Sequence, residues 1–247
     1  MAKVKITPKM LKVNKQMQKE IQRNTELNFK SIAKVFKEFG EETEKQFAKG
    51  ISMQDLKWNV LKSRLETVLS TNSKRSIDNF TRFLNKLFNY NLTDTKIEKV
   101  KNKTVDKYAK GLAQKVTYVT ETTKQQIANL IDNNKGLNTN DLAKLINEKF
   151  SEMSLGRSKT IARTESANLF ANSSKITADE VGMKYKTYIH GVSSPNERPN
   201  HKALDGVKIP IDELFDFGDE QADIPHDSSL SAGNCVNCSC TVFFSNR

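Results

Sequence analysis

Cysteine is scarce in this chain: three residues in 247, all between positions 235 and 240. Proline numbers five and glycine ten. No apolar run approaches the roughly 18 residues that a membrane-crossing helix requires. These shortages exclude several classes of protein. Three thiols crowded into one short stretch do not staple a secreted scaffold, so the composition points to folding in a reducing cytosol. The opening MAKVKITPKM is positively charged but has no apolar stretch behind it, and it does not read as a secretory signal. No glycine–lysine phosphate loop, nucleotide-binding glycine fingerprint, HExxH or Gly-x-Ser-x-Gly occurs. Hydrophobic residues make up 36%, a little low for a compact globule, which suggests elongated helices with much solvated surface.

The scarcity is uneven, and so is the charge. Up to residue 110 the only helix breakers are Pro8, Gly40 and Gly50, whereas Pro195, Pro199, Pro210 and Pro225 all follow residue 190. Residues 1–110 hold 25 Lys and Arg against 12 Asp and Glu, residues 111–190 hold 11 against 8, and residues 191–247 hold 4 against 9. The net charge of +11 therefore belongs to the first half, and the cysteine-bearing end is acidic. A basic half fits a partner made of phosphate, although a lysine-rich helical surface can also be only a solvated face.

Apolar spacing makes the first part helical. Thr7-Pro8 reads as an N-cap followed by proline at the first helical position. Ile32, Val35, Phe36 and Phe39 form one stripe. Leu61, Leu65, Val68 and Leu69 form another, and Ser73 is placed to cap a new helix carrying Ile77, Phe80, Leu84, Leu87 and Phe88. Ile97, Val100, Val105, Tyr108, Leu112, Val116 and Val119 continue the pattern. Most of these stripes should be internal core, while that of the long segment 8–48 is also available to another subunit. Thr139 should cap a short helix to about Phe150. A second helix should run from near Leu155 to about Val181, stopped by Gly182. MKYKTYIHG, GVKIPI and CTVFF read as short strands. The expectation is an α+β protein with a mostly helical, elongated N-terminal body at 1–136. A small helix-plus-sheet domain should follow at 137–247.

That last region gathers the polar chemistry. Cys235, Cys238 and Cys240 have the spacing of soft-metal ligands, and His201 completes a four-ligand set suited to zinc, with His226 and Asp205 as spare candidates. The plain alternative is that Cys238 and Cys240 pack as small apolar groups beside a strand. Asp205-Gly206 marks a turn. Arg163, Glu165 and Asn168 are polar groups on an alanine-rich helix, and they need partners if the sheet covers it. A metal-dependent nuclease or toxin-like domain is the enzymatic rival, but the three histidines and the lack of a placed nucleophile give it little support.

An IARTE helix, a G-x-K-Y strand, ERPNHKALDG and a terminal NC-S-C-T-V-F-F strand, in that order, resemble the C-terminal domain of the Mu F-like phage minor head proteins. The resemblance covers roughly residues 137–247. It implies a non-enzymatic minor capsid component acting in head morphogenesis. The implied partners are the portal, major capsid or scaffold proteins and, non-specifically, double-stranded DNA, with no membrane. The implied place is the virion, in the head interior or at the portal vertex, after assembly in the host cytoplasm. It carries the recurrent polar residues onto Arg163, Thr164, Glu165, Arg198, His201, Asp205, Gly206, Asn237, Cys238 and Cys240. Tyr188 stands where the family often has tryptophan, Ser239 where it often has arginine, and Cys235 lies outside the motif. The expected result is a structural closure: the His201 loop and the Cys238–Cys240 strand clamped onto the ARTE helix by a polar network, with or without a metal. The domain reads as too poor in apolar residues to close by core burial alone.

Overall fold

The computed structural model describes residues 2–191 and 198–247. A two-residue strand, β1 (Ala2–Lys3), precedes four long helices: α1 (Pro8–Ala48), α2 (Trp58–Phe88), α3 (Asp94–Asp132) and α4 (Thr139–Glu180). Then come β2 (Tyr185–Ile189), α5 (Pro199–Ala203), β3 (Val207–Pro210), β4 (Phe215–Asp216), β5 (Gln221–Ala222), α6 (Ala232–Cys235) and β6 (Thr241–Ser245). The class is α+β, as the residue pattern predicts. Met10 N–H donates to the Thr7 hydroxyl at 3.2 Å, the cap that lets α1 start at Pro8. Gly182, at φ +72°, takes the left-handed conformation that ends α4.

Two expected helix breaks do not occur. Ser73 caps nothing, because α2 runs through it and its side chain is buried. The polar stretch around it serves contacts between helices: Asn72 Nδ2 donates to Ser31 Oγ at 2.9 Å and Asn79 Nδ2 to Asn24 Oδ1 at 3.0 Å. The predicted gap between Phe150 and Leu155 is likewise closed, and α4 is one helix. Its hydroxyls fold back on their own turns, Ser154 Oγ onto Ser151 O at 2.7 Å and Thr160 Oγ1 onto Gly156 O at 3.3 Å. The cap of α4 is Asn138, whose Oδ1 accepts from Asp141 N–H at 3.0 Å, with Thr139 the first helical residue.

The chain forms two compact units, and each long helix contributes a stretch to both. Residues 26–72 and 109–162 make an all-helical unit. Its core is the expected stripes: Ile32, Val35, Phe36 and Phe39 of α1 are buried, so this segment's apolar face is internal. Phe39 packs edge-on against Phe150 at 5.4 Å and tilts against Trp58 at 5.5 Å.

Residues 1–25, 73–108 and 163–247 make the other unit. It holds a four-stranded antiparallel sheet in the order β1-β3-β2-β6. β2 is central, with Thr187 opposite Lys208 on β3 and Phe243 on β6. Beneath it lies an apolar cluster that includes Tyr188, Ile209, Phe215, Phe217, Ile224, Val242 and Phe244. This core is larger than the residue pattern suggests, because Phe215 and Phe217 come from an irregular segment that shows no period. Phe170 of α4 packs edge-on against Phe80 of α2 at 5.2 Å. Gln18 Nε2 donates to Ser239 O at 2.7 Å and Thr241 Oγ1 to Asn14 Oδ1 at 2.7 Å, which ties the last strand to α1.

Candidate metal centre

Three segments converge on one buried point of this unit. β2 supplies Tyr188, whose strand alternation turns its ring into the core. α5 supplies His201, two residues after the Pro199 that opens its single turn. The approach to β6 supplies Cys238 and Cys240. Asn237, at φ +56°, takes the left-handed conformation that asparagine tolerates, just before Cys238. Gly191 lies against the backbone of Ser239, between the two cysteines, where a Cβ would collide with the Ser239 carbonyl.

His201, Cys238 and Cys240 are each at most 4% exposed, and their ligand atoms lie within 4.8 Å of one another. Nδ1 of His201 is 3.5 Å from Cys238 Sγ, 3.6 Å from Cys240 Sγ and 3.2 Å from the Tyr188 hydroxyl. The imidazole is edge-on to Phe217 at 5.1 Å.

The proton on the ring can be placed from its neighbours. Asn234 Nδ2 donates to Glu220 Oε2 at 2.7 Å, and a carboxylate only accepts. Asn234 Oδ1 must therefore face the other way, toward His201 Nε2 at 3.1 Å and Asn200 Nδ2 at 3.1 Å. Asn200 is pinned as well, since its Oδ1 accepts from His201 N–H at 3.0 Å. Nε2 thus carries the hydrogen, and the lone pair of Nδ1 points at the two sulfurs and the phenol. The hydrogen bond from the Cys240 thiol holds Cys238 below the ordinary thiol value, against burial and with help from Arg198 and Arg163. Cys240 is pushed up in turn, first by that same bond and then by burial. Burial also keeps the Tyr188 phenol protonated far into the alkaline range.

The remaining predicted residues form the frame. Arg198 donates through Nε to Gly233 O at 2.6 Å and through Nη2 to Val236 O at 2.7 Å. Asp205 Oδ1 accepts from His190 N–H at 2.8 Å, closing the turn that carries α5 back to the sheet. Asn237 N–H donates to Thr164 Oγ1 at 3.3 Å, joining the cysteine segment to α4. Glu165 is buried beside Tyr108, and its charge raises the phenol further after burial. Asn168 Nδ2 donates to His226 O.

Cys235 is not part of the group. Its thiol donates to the carbonyls of Asp227 at 3.4 Å and Leu230 at 3.7 Å, because the turn of α6 carries it to that side. The spare candidates are elsewhere too: His226 Nε2 meets Cys240 O at 3.2 Å, and Asp205 is occupied by His190. Tyr188, Asn234 and Glu220 escape the sequence reading as site residues. Asn234 stands in an Asn-Cys pair like that at 237–238, a repetition that could have drawn attention to it; Glu220 carries no such signal.

Asn234, His201 and Cys238 also stand in the order of a cysteine-nucleophile triad. Their burial argues against that use, since a nucleophile needs access to its substrate. A shallow surface hollow lined by Tyr185, Lys208, Pro210, Asn246 and Arg247 contains no thiol, imidazole or acidic side chain.

Residues 121–243 match the family model described as phage Mu protein F like protein. This stretch belongs to the phage Mu F-like family. It contains the whole cluster and its frame, from Arg163 to Cys240. No curated protein and no solved structure matches the chain. The Mu F-like family is one of phage head proteins, which gives this chain its setting in head morphogenesis and the virion.

Proposed function

We propose that this chain is a structural minor head protein, present at the portal vertex or head interior, that touches both the portal and the packaged DNA. In this reading residues 1–136 form the basic contact region and residues 137–247 the Mu F-like domain that anchors it. Assembly takes place in the host cytoplasm, alongside capsid or scaffold proteins, and no catalytic step is involved.

The observation that carries the DNA contact is the placement of the charge. Of the 25 Lys and Arg in residues 1–110, 21 are exposed and none is buried. On the first half of α1, Lys9, Lys12, Lys15, Lys19 and Arg23 recur every three or four residues and are all exposed. That spacing sets five cations on one helical face. Lysine is a flexible point charge, suited to phosphates without regard to base sequence. The portal contact rests on the family setting.

Two measurements test the proposal. Binding to double-stranded DNA should be independent of sequence and fall steeply between about 50 and 500 mM salt. Retention on DNA that ignores salt contradicts the phosphate contact. Coexpressed with the portal protein of the same phage, the chain should copurify with it after nuclease treatment. Loss of the portal on nuclease treatment would leave DNA as the only link and refute direct portal contact.

A further inference from the structure

We propose that His201 Nδ1, Cys238 Sγ and Cys240 Sγ bind one zinc-class divalent cation, with the Tyr188 hydroxyl oxygen on the fourth side. The centre is structural and locks the end of the Mu F-like domain. It stands apart from the DNA and portal reading, and neither depends on the other.

The separations measured from His201 Nδ1 are those of a tetrahedral centre. With metal–sulfur bonds near 2.3 Å and metal–nitrogen bonds near 2.0 Å, neighbouring sulfur and nitrogen ligands stand about 3.5 Å apart. The two observed separations are 3.5 and 3.6 Å. An oxygen and a nitrogen on the same kind of centre stand about 3.3 Å apart, and the Tyr188 hydroxyl lies 3.2 Å from Nδ1. Without a cation, two thiols and a phenol crowd around one imidazole lone pair, which accepts a single hydrogen. A cation at their centre satisfies all four atoms together.

The surroundings fit as well. Zinc-bound histidines donate their other ring N–H to a fixed acceptor, and here Nε2 meets Asn234 Oδ1, itself oriented by Glu220. Two thiolates neutralise a divalent charge. The donor set of two sulfurs and a nitrogen selects zinc-class metals over magnesium or calcium. The ligands are buried on every side, so the cation enters as the domain folds and meets no substrate afterwards.

The test uses the full chain, unfolded and refolded with either zinc or cobalt(II) and then dialysed. Wild type should retain one zinc per molecule, and the cobalt form should show the near-ultraviolet charge-transfer band of thiolate ligation. Cys235→Ser should match wild type in both, while Cys238→Ser and Cys240→Ser should each lose the metal. Tyr188→Phe should keep the thiolate band but shift the visible cobalt bands; unchanged bands remove Tyr188 from the ligand set. Because the cysteine variants can fail by misfolding, wild type decides the matter. Wild-type protein that refolds to the native circular-dichroism spectrum in excess zinc, yet holds none, overturns the proposal. Rapid alkylation of Cys238 by iodoacetamide in the zinc-refolded protein also overturns it, and would favour a reactive-thiol role.

Discussion

In the all-helical unit the large buried side chains are Ile32, Phe36, Phe39, Leu61, Leu65 and Phe150, and each falls on a regular apolar stripe. In the sheet-bearing unit the equivalent positions are shared among Met17, Phe80, Phe170, Tyr188, Phe215 and Phe217 and a set of buried polar groups: Lys186, His201, His226 and Asn234. The first unit is held by apolar contact spread over many residues, so no single position governs it. The second adds to its apolar core a few polar points, where each group depends on a named partner. Distributed cores lose stability in proportion to the volume removed. Point networks fail when one member leaves its neighbours unpaired.

The most damaging change should be His201→Ala, which strips the cluster of its nitrogen, opens a buried cavity and removes the contact that Asn234 and the two thiols share. A loss of about 3–5 kcal/mol, or roughly 10 °C in Tm, is expected by thermal melting, together with reduced incorporation into virions. Unchanged stability with loss of a measurable hydrolytic activity would mean that the site is catalytic. Phe150→Ala is the matching test of the helical unit. It should cost about 3–5 kcal/mol by urea unfolding through cavity formation alone, without changing metal content.

Asp223→Ala comes next. Asp223 pairs with Lys186, which also donates to the Asp223 carbonyl at 2.8 Å, and lies 3.7 Å from Lys175. Removing it leaves a buried ammonium with a carbonyl and the face of the Phe215 ring but no countercharge in direct contact, at a cost of about 3 kcal/mol. Lys186→Met should be far milder, neutral or stabilising by about 1 kcal/mol at pH 7. Burial holds the Lys186 ammonium below its ordinary pKa; Asp223 opposes this, and Lys175 and Asp179 add smaller effects of opposite sign. Below the folded-state value both states carry the proton and the burial penalty is full. Between that value and the unfolded value near 10.4, the unfolded chain binds the extra proton, so wild-type stability rises with pH. The advantage of Lys186→Met should therefore shrink between pH 7 and pH 10. An advantage that grows would reverse the assigned shift.

The smallest effect on stability should come from replacing Lys9, Lys12, Lys15 and Lys19 together by glutamine. These residues are exposed, so a change within about 0.5 kcal/mol is expected for each. The slope of DNA affinity against salt should nevertheless fall measurably.

Legibility in the sequence follows the same division. Periodicity found the stripes of α1, α2 and α3, a cap signal found the start of α4 to within a residue, and turn and strand signals found β2, β3, β6 and the Gly182 stop. It placed two breaks that are absent, at Ser73 and after Phe150, because polar residues inside a helix look the same whether they cap it or bond to a neighbouring helix. β1 was too short to register. At the cluster, residue type alone singled out His201, Cys238 and Cys240, since few other side chains offer soft ligands. It could not separate Cys235 from them, because a six-residue spacing does not say which way the turn of α6 aims a thiol. Asn234 and Glu220 matter only through the orientation each imposes on the next group, and no pattern in one dimension records that.

X-ray absorption at the zinc edge of the native, full-length protein tests the closure most directly. Two sulfurs near 2.3 Å, with nitrogen and oxygen near 2.0 Å, are expected around the metal. A shell of nitrogen and oxygen alone, or natively folded protein containing no zinc, would contradict it.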